Sequence, residues 1–203
     1  MGRVRQATCK MCRREGASLC GREKCAFKRR GTVPGVHGAK KTRRPSIFGS
    51  QLREKQKAKR LYNILERQFR GYFEKAVKKQ GDTGKLIIQM LETRFDNTIY
   101  RLGFAKTRRQ ARQFVSHSMF DINGKKVNIP SYQVKVGDTI TLREVKKNKK
   151  AFENISEQLQ KTETPSWLLI DPASVTGKVL SLPEGENLKT IFDPKLIVEF
   201  YSR

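Results

Sequence analysis

From Thr93 to Val145 the chain follows a pattern that few folds accommodate: two short basic helices, a tight hairpin and a strand. Phe95, Ile99 and Leu102 fall at i, i+4 and i+7, one face of a helix that Gly103 ends. A second helix opens at Thr107 with Gln110 three residues on, the capping-box signature. Ala111, Phe114 and Val115 turn toward a core, which leaves Arg108, Arg109, Arg112 and Gln113 on other faces. Asn123-Gly124 between the strand-like runs Phe120-Asp121-Ile122 and Lys125-Lys126-Val127-Asn128-Ile129 predicts a hairpin. After a turn at Gly137-Asp138, the segment Thr139 to Arg143 alternates as a half-buried strand does. Cations and amides therefore gather at a helix start, where backbone N–H groups already favour phosphate. The segment holds no obvious reaction chemistry.

The surrounding chain has 203 residues and a net charge of +25. Residues 1–60 carry 19 basic and 3 acidic side chains, residues 61–150 carry 20 and 8, and residues 151–203 carry 5 and 8. So one-sided a surface repels itself and calls for a polyanion. The front and middle of the chain face that polyanion, and the acid-tilted tail serves packing and protein contacts. Anionic lipid is the weaker reading. The sequence has no run of about 18 apolar residues, no signal-peptide core and no long basic amphipathic helix with Trp and Phe on its apolar side. Met1 to Gln6 also lacks the Ser or Thr of a myristoylation signal. Nucleic acid is the expected partner.

Residues 31–50, rich in Gly, Pro, Ser and cations, read as an extended linker with little core of its own. Helices are predicted from Gln51 to about Asn63, from Leu65 to Gln80, and after Asp82 or Thr83 on an apolar stripe of Leu86, Ile87, Met90 and Leu91. The aromatic residues of these helices belong to a core, with Tyr62 and Tyr72 kept open as base-stacking candidates. Ala151 to Lys161 reads as one helix with Phe152, Ile155 and Leu159 on a face. The runs Trp167 to Ile170 and Leu196 to Phe200 are expected to pack back onto the helices. No internal repeat is visible.

All four cysteines fall in the first 25 residues: Cys9, Cys12, Cys20 and Cys25, spaced C-x2-C-x7-C-x4-C. A secreted disulfide scaffold spreads its cysteines through the fold, so this usage points to an intracellular chain. The spacing suits one structural zinc held by four thiolates, with no open position for catalysis. An iron–sulfur cluster or reduced, unligated thiols are the alternatives. Lys10, Arg13, Arg14, Arg22 and Lys24 surround the motif and offset the charge of a tetrathiolate site. His37, in a tight Gly-Pro turn, suits a phosphate contact, replacement of a zinc ligand or solvent, and His117 after the second basic helix suits an RNA contact or the dipole at a helix C-terminus. Two distant histidines, with no nucleophile elbow, phosphate loop or carboxylate pair, supply no catalytic constellation. Asp96, the one carboxylate within the two basic helices, reads as orienting Arg94 or capping a helix.

Arg94-Phe95-Asp96-Asn97, Tyr100-Arg101-Leu102-Gly103-Phe104, Thr107-Arg108-Arg109-Gln110-Ala111-Arg112-Gln113 and Ile122-Asn123-Gly124 resemble the RNA-binding module of the S-four family of the small ribosomal subunit. So do Pro130-Ser131-Tyr132 and Val136-Gly137-Asp138. Outside that module, Arg44-Pro45-Ser46, the run Leu52 to Lys57, Arg67-Gln68-Phe69-Arg70 and the terminal Ile197 to Arg203 resemble the ribosomal protein itself. The resemblance implies an α+β fold. A mostly helical domain (51–92 and 151–203) holds an inserted helix-hairpin RNA-binding module (93–150) with a short antiparallel sheet. Residues 1–50 form a basic extension with a zinc knob. It further implies a cytoplasmic, non-enzymatic constituent of the small ribosomal subunit, binding 16S rRNA early in ribosome assembly. S-five, S-three and mRNA near its path into the ribosome are the implied partners, with a role in translational accuracy. Charge pattern and resemblance together nominate RNA contacts in three groups. On the linker and first long helix they are Arg43, Arg44, Arg53, Lys55, Lys57, Lys59 and Arg60. On the two basic helices they are Arg94, Asn97, Arg101, Lys106, Thr107, Arg108, Arg109, Gln110, Arg112, Gln113, Ser116 and His117. On the hairpin they are Asn123, Lys125 and Lys126.

Two other classes use similar parts. An RNA-modifying enzyme of the pseudouridine synthase type needs a separate catalytic domain with an active-site Asp, for which the remaining residues are too few and too basic. A zinc-dependent regulator would bind duplex DNA away from ribosomes.

Overall fold

A computed structural model describes residues 7–38, 44–188 and 190–203. The chain forms two compact units: Met1–Ile88 together with Lys189–Arg203, and Gln89–Leu188.

The first unit is helical. Helices α1 (Thr8–Glu15) and α2 (Ala26–Arg29) carry the cysteine segment. Helix α3 (Ile47–Leu61) starts four residues earlier than the charge pattern suggested. The Ser46 hydroxyl caps it, accepting from the Gly49 amide at 3.1 Å, so the end of the expected linker is helix. Helix α4 (Glu66–Val77) follows, then α5 (Thr83–Glu92), whose start is capped as expected by Asp82 Oδ1 accepting from Gly84 at 2.8 Å and whose last residues, Gln89–Glu92, belong to the second unit. The terminal run forms α10 (Pro194–Tyr201), with Asp193 as cap and Pro194 in the first turn, where its missing N–H costs nothing. It packs on α3, as the apolar run predicted. Tyr201 stacks on Phe73 at 4.8 Å and on Phe69 at 6.1 Å, and Phe200 lies 5.5 Å from Phe48. Tyr62 and Tyr72 are buried, which assigns both to the core and removes them as stacking platforms.

The second unit wraps α6 (Phe95–Arg101), α7 (Arg108–Ser116), α8 (Glu144–Lys147) and α9 (Ile155–Gln160) around an antiparallel sheet of order β2-β1-β3-β5-β4. Its strands are β1 (Phe120–Ile122), β2 (Lys125–Lys126), β3 (Thr139–Leu142), β4 (Leu168–Asp171) and β5 (Thr176–Val179). The Asn-Gly hairpin forms with Ile122 opposite Lys125, both turn residues at positive φ (50° and 75°), as a type I′ turn requires.

Two expectations need correction, while the run Trp167 to Ile170, mostly strand β4, packs as expected through Trp167 and Leu168 into a core shared with residues of α6, α7 and α9. Asp171 closes the β4–β5 turn by accepting from the Ala173 amide and the Ser174 hydroxyl. The helix expected over 151–161 is broken into a 3-10 turn (Lys150–Phe152) and α9, although Phe152, Ile155 and Leu159 are all buried as their spacing required. Residues 151–188 belong to the second unit rather than to the helical one, because β5 pairs with β3 and Trp167 shares a core with Phe95, Phe120 and Ile140. Among the described residues no helix is long and apolar enough to cross a membrane.

Candidate nucleic-acid interface and cysteine cluster

The two basic helices present their cations differently. At the start of α6 the backbone amides of Phe95 and Asp96 donate to the carbonyls of Tyr132 and Pro130, at 2.8 and 3.2 Å. Those N–H groups are spent within the fold. At the start of α7 the Thr107 hydroxyl accepts from the Gln110 amide at 3.2 Å, as the capping signature predicted. The reciprocal bond falls one residue earlier than in a strict capping box: Gln110 Oε1 accepts from the Lys106 amide at 3.0 Å.

Several nominated cations are held by carboxylates inside the fold. Arg94 is fully buried and grips Asp96 with two bonds, Nε to Oδ1 at 3.1 Å and an Nη to Oδ2 at 3.0 Å. The orienting role read for Asp96 is the one it plays. Arg112 reaches the same carboxylate at 3.1 Å. Arg101 forms a fork on Glu92, at 2.8 and 2.9 Å. Asn97 is buried and donates to Glu92, while Arg108 donates from Nε to Asn97 Oδ1 at 2.8 Å. The Arg108 guanidinium also stacks on the Tyr100 ring, 4.4 Å from its centroid. Nothing in the local pattern marked Glu92 or Tyr100, whose roles depend on how α5 meets α6 and how α6 meets α7.

The cations of α3 are engaged in the same way. Arg53 and Arg60 share the buried carboxylate of Glu15. Lys55 and Lys59 converge on Glu66 at 2.9 and 3.0 Å, and Lys57 pairs with Glu54 at 2.6 Å. Only the Glu54–Lys57 pair, at i, i+3, was legible from spacing. Burial raises the Glu66 pKa, but hydrogen bonds from Tyr201, Lys55 and Lys59 outweigh it and bring it down to about 2. Glu15 shifts the other way: burial pushes its pKa up despite Arg53 and Arg60.

The remaining nominated side chains are less enclosed. Arg109 is half-buried, while Gln113 and Ser116, which follow it at i+4 and i+7 along α7, are exposed, as are Lys106 ahead of the helix and His117 at its C-cap; the Ser116 hydroxyl donates to the Arg112 carbonyl at 2.9 Å. Lys125 and Lys126 are exposed on β2. Asn123 is exposed, yet its side chain works within the fold: it donates to Asp138 at 2.8 Å and accepts from the Thr139 amide at 2.8 Å. Arg44 is exposed, as is His37 in its turn, and Arg43 lies outside the described residues. Around the cysteines Lys10, Arg14, Arg22 and Lys24 are exposed, while Arg13 donates to the Thr32 carbonyl at 2.8 Å.

The cysteines converge. The sulfurs of Cys9, Cys20 and Cys25 lie within 4.8 Å of one another, and the Cys12 thiol joins them through contacts with Cys25 and Cys20. Helix α1 places Cys9 and Cys12 one turn apart on one side, and the loop through Gly16 and Gly21 returns the second pair to it. Burial pushes the Cys12 pKa up to about 12. At Cys25 burial acts upward as well, but hydrogen bonds with Ser18, the Phe27 amide, Cys20 and Cys12 prevail and lower it to about 7. Sulfurs around one tetrahedral zinc sit about 3.8 Å apart, given Zn–S bonds of about 2.3 Å. Three of the four sulfurs already approach that spacing and Cys12 adjoins two of them, so the donor set fits such an ion.

Residues 3–92 match the family described as Ribosomal protein S4/S9 N-terminal domain, and residues 93–140 match the S4 domain. Full-length relatives are similar throughout. The small ribosomal subunit protein uS4 of Syntrophomonas wolfei is 47% identical over 209 residues, covering 100% of both chains. That of Syntrophus aciditrophicus is 49% identical over 210 residues, and that of Thermus thermophilus 46% over 209, again with 100% of each chain covered.

Proposed function

The chain belongs to the uS4 family of small ribosomal subunit proteins, which are structural and not enzymes, and from that premise we propose that it is a primary 16S rRNA-binding protein of the 30S subunit. Its place is the cytoplasmic ribosome. The observation that carries the RNA reading is the division of cations in the second unit. Arg94, Arg101 and Arg112 build the α6–α7 scaffold, and that scaffold presents Lys106, Arg109, Gln113, Ser116 and His117 outward along α7. Arg108 at the first turn, and Lys125 and Lys126 on the hairpin, extend this surface. Cations and amides beside a capped helix start suit a phosphate backbone, and a folded RNA junction is recognised largely by shape and backbone position. Arg44 and the exposed cations around the cysteines supply a second contact region in the first unit.

The finer role follows the family. The protein joins the 30S body early in assembly, adjoins S-five and S-three near the path by which mRNA enters, and with S-five supports accurate decoding. Cys9, Cys12, Cys20 and Cys25 would hold one zinc ion, which would lock α1 to the loop after it and fix a segment too small to fold alone.

Sedimentation through a sucrose gradient tests the assignment: the protein should migrate with 30S particles at near-stoichiometric level. Binding to a 16S junction fragment at several salt concentrations tests the surface. Arg109→Ala should weaken binding by about 1–3 kcal/mol and make the salt slope shallower by about one. Lys57→Ala, on α3 rather than α7, should cost much less. Equal losses from the two would remove α7 as the interface.

A further inference from the structure

Asn97 sits 2% exposed in the first turn of α6, where an apolar side chain would ordinarily pack. A buried amide is tolerated when its hydrogen bonds are met, and here they are met in one orientation. Its Nδ2 donates to the Glu92 carbonyl at 2.9 Å and to Glu92 Oε2 at 2.8 Å. With Nδ2 committed to two acceptors, Oδ1 has to face away from Glu92, and there it accepts from Arg108 Nε at 2.8 Å. Glu92 is itself 1% exposed and clamped by the Arg101 fork, so the amide cannot turn over. On the other side the Arg108 guanidinium rests on the Tyr100 ring. Two contacts from α6 thus set the rotamer of an arginine in the first turn of α7, next to the Thr107 cap.

We propose that Asn97 is a positioning residue for RNA binding: held by Glu92, it presets Arg108 for a backbone phosphate without touching RNA itself. An arginine loses much rotamer freedom on binding, and one already ordered in the free protein has little left to lose. The inference rests on the reading of α7 as the RNA interface.

The test is a double-mutant cycle on a 16S junction fragment, comparing wild type, Asn97→Ala, Arg108→Ala and the double variant at several salt concentrations, with melting curves for each. Asn97→Ala should reduce affinity about tenfold, the scale of one charge-assisted hydrogen bond. It should make the salt slope shallower by up to about one, and cost nothing further once Arg108 is absent. Tyr100→Leu removes the ring beneath Arg108 without entering the buried relay, and should show the same coupling if Asn97→Ala fails to fold. Losses that add independently of Arg108, or an Asn97→Ala protein with wild-type affinity, would overturn the proposal. A folded Arg108→Ala/Arg109→Ala protein that binds normally would instead overturn the reading of α7 as the interface.

Discussion

Asp96 is 4% exposed and accepts from two guanidinium groups, one of them wholly buried. Breaking a buried ion pair from one side strands the other charge. Asp96→Asn should therefore cost on the order of 3–5 kcal/mol of stability, read by urea denaturation. A much smaller loss would mean that water or other acceptors compensate Arg94. Glu66 makes a prediction in pH. Its folded-state pKa, lowered to about 2, lies below the unfolded value of roughly 4.3. Its contribution is fully present above that unfolded value and fades as pH falls toward 2. The stability gap between wild type and Glu66→Gln should therefore be constant from neutral pH down to about 5 and shrink below it. A gap unchanged at pH 3 would contradict the cluster of Lys55, Lys59 and Tyr201.

At the scale of elements, β5 approaches α6 so closely that a Cβ on Gly177 would lie 2.6 Å from Leu102 Cδ1. Both residues are buried, so Gly177→Ala should overpack the joint between sheet and helix and cost about 1–3 kcal/mol. A crystal structure of that variant should show Leu102 displaced; an unmoved Leu102 at full stability would refute the close approach. The cysteine segment should behave as a separable element. Purified, reduced protein should carry about one zinc per chain. Cys9→Ser or Cys20→Ser should release it and speed amide exchange over residues 7–38, leaving β1–β5 protected, since that sheet has its own core. Metal-free protein on elemental analysis would remove the zinc assignment.

For the molecule as a whole, the net charge of +25 acts with opposite signs on folding and on binding. Like charges repel in the compact free protein, and salt screens that repulsion. Moderate salt should therefore raise the melting temperature of the free protein while lowering its affinity for RNA, where counterion release is lost. Calorimetry and binding measured over one salt series check the pair of slopes, and slopes of the same sign would contradict it.

The readings that survived contact with the fold were local ones. The apolar spacing of Phe95, Ile99 and Leu102, the Thr107 cap, the Asn123-Gly124 hairpin and the alternation of Thr139 to Leu142 are all written within a few residues, because helix and strand periods are short. The clustering of the four cysteines was equally legible, since it follows from spacing. What the chain alone could not say was which cations remain for a partner. Arg53, Lys55, Lys59 and Arg60 look like one solvated basic face, yet Glu15 and Glu66 claim them from α1 and α4. Likewise Leu168 to Asp171 becomes a sheet edge only because β5 offers it a partner. Charge counts are properties of the sequence; charge pairing here needs groups on different helices to meet, and only the tertiary fold arranges that meeting.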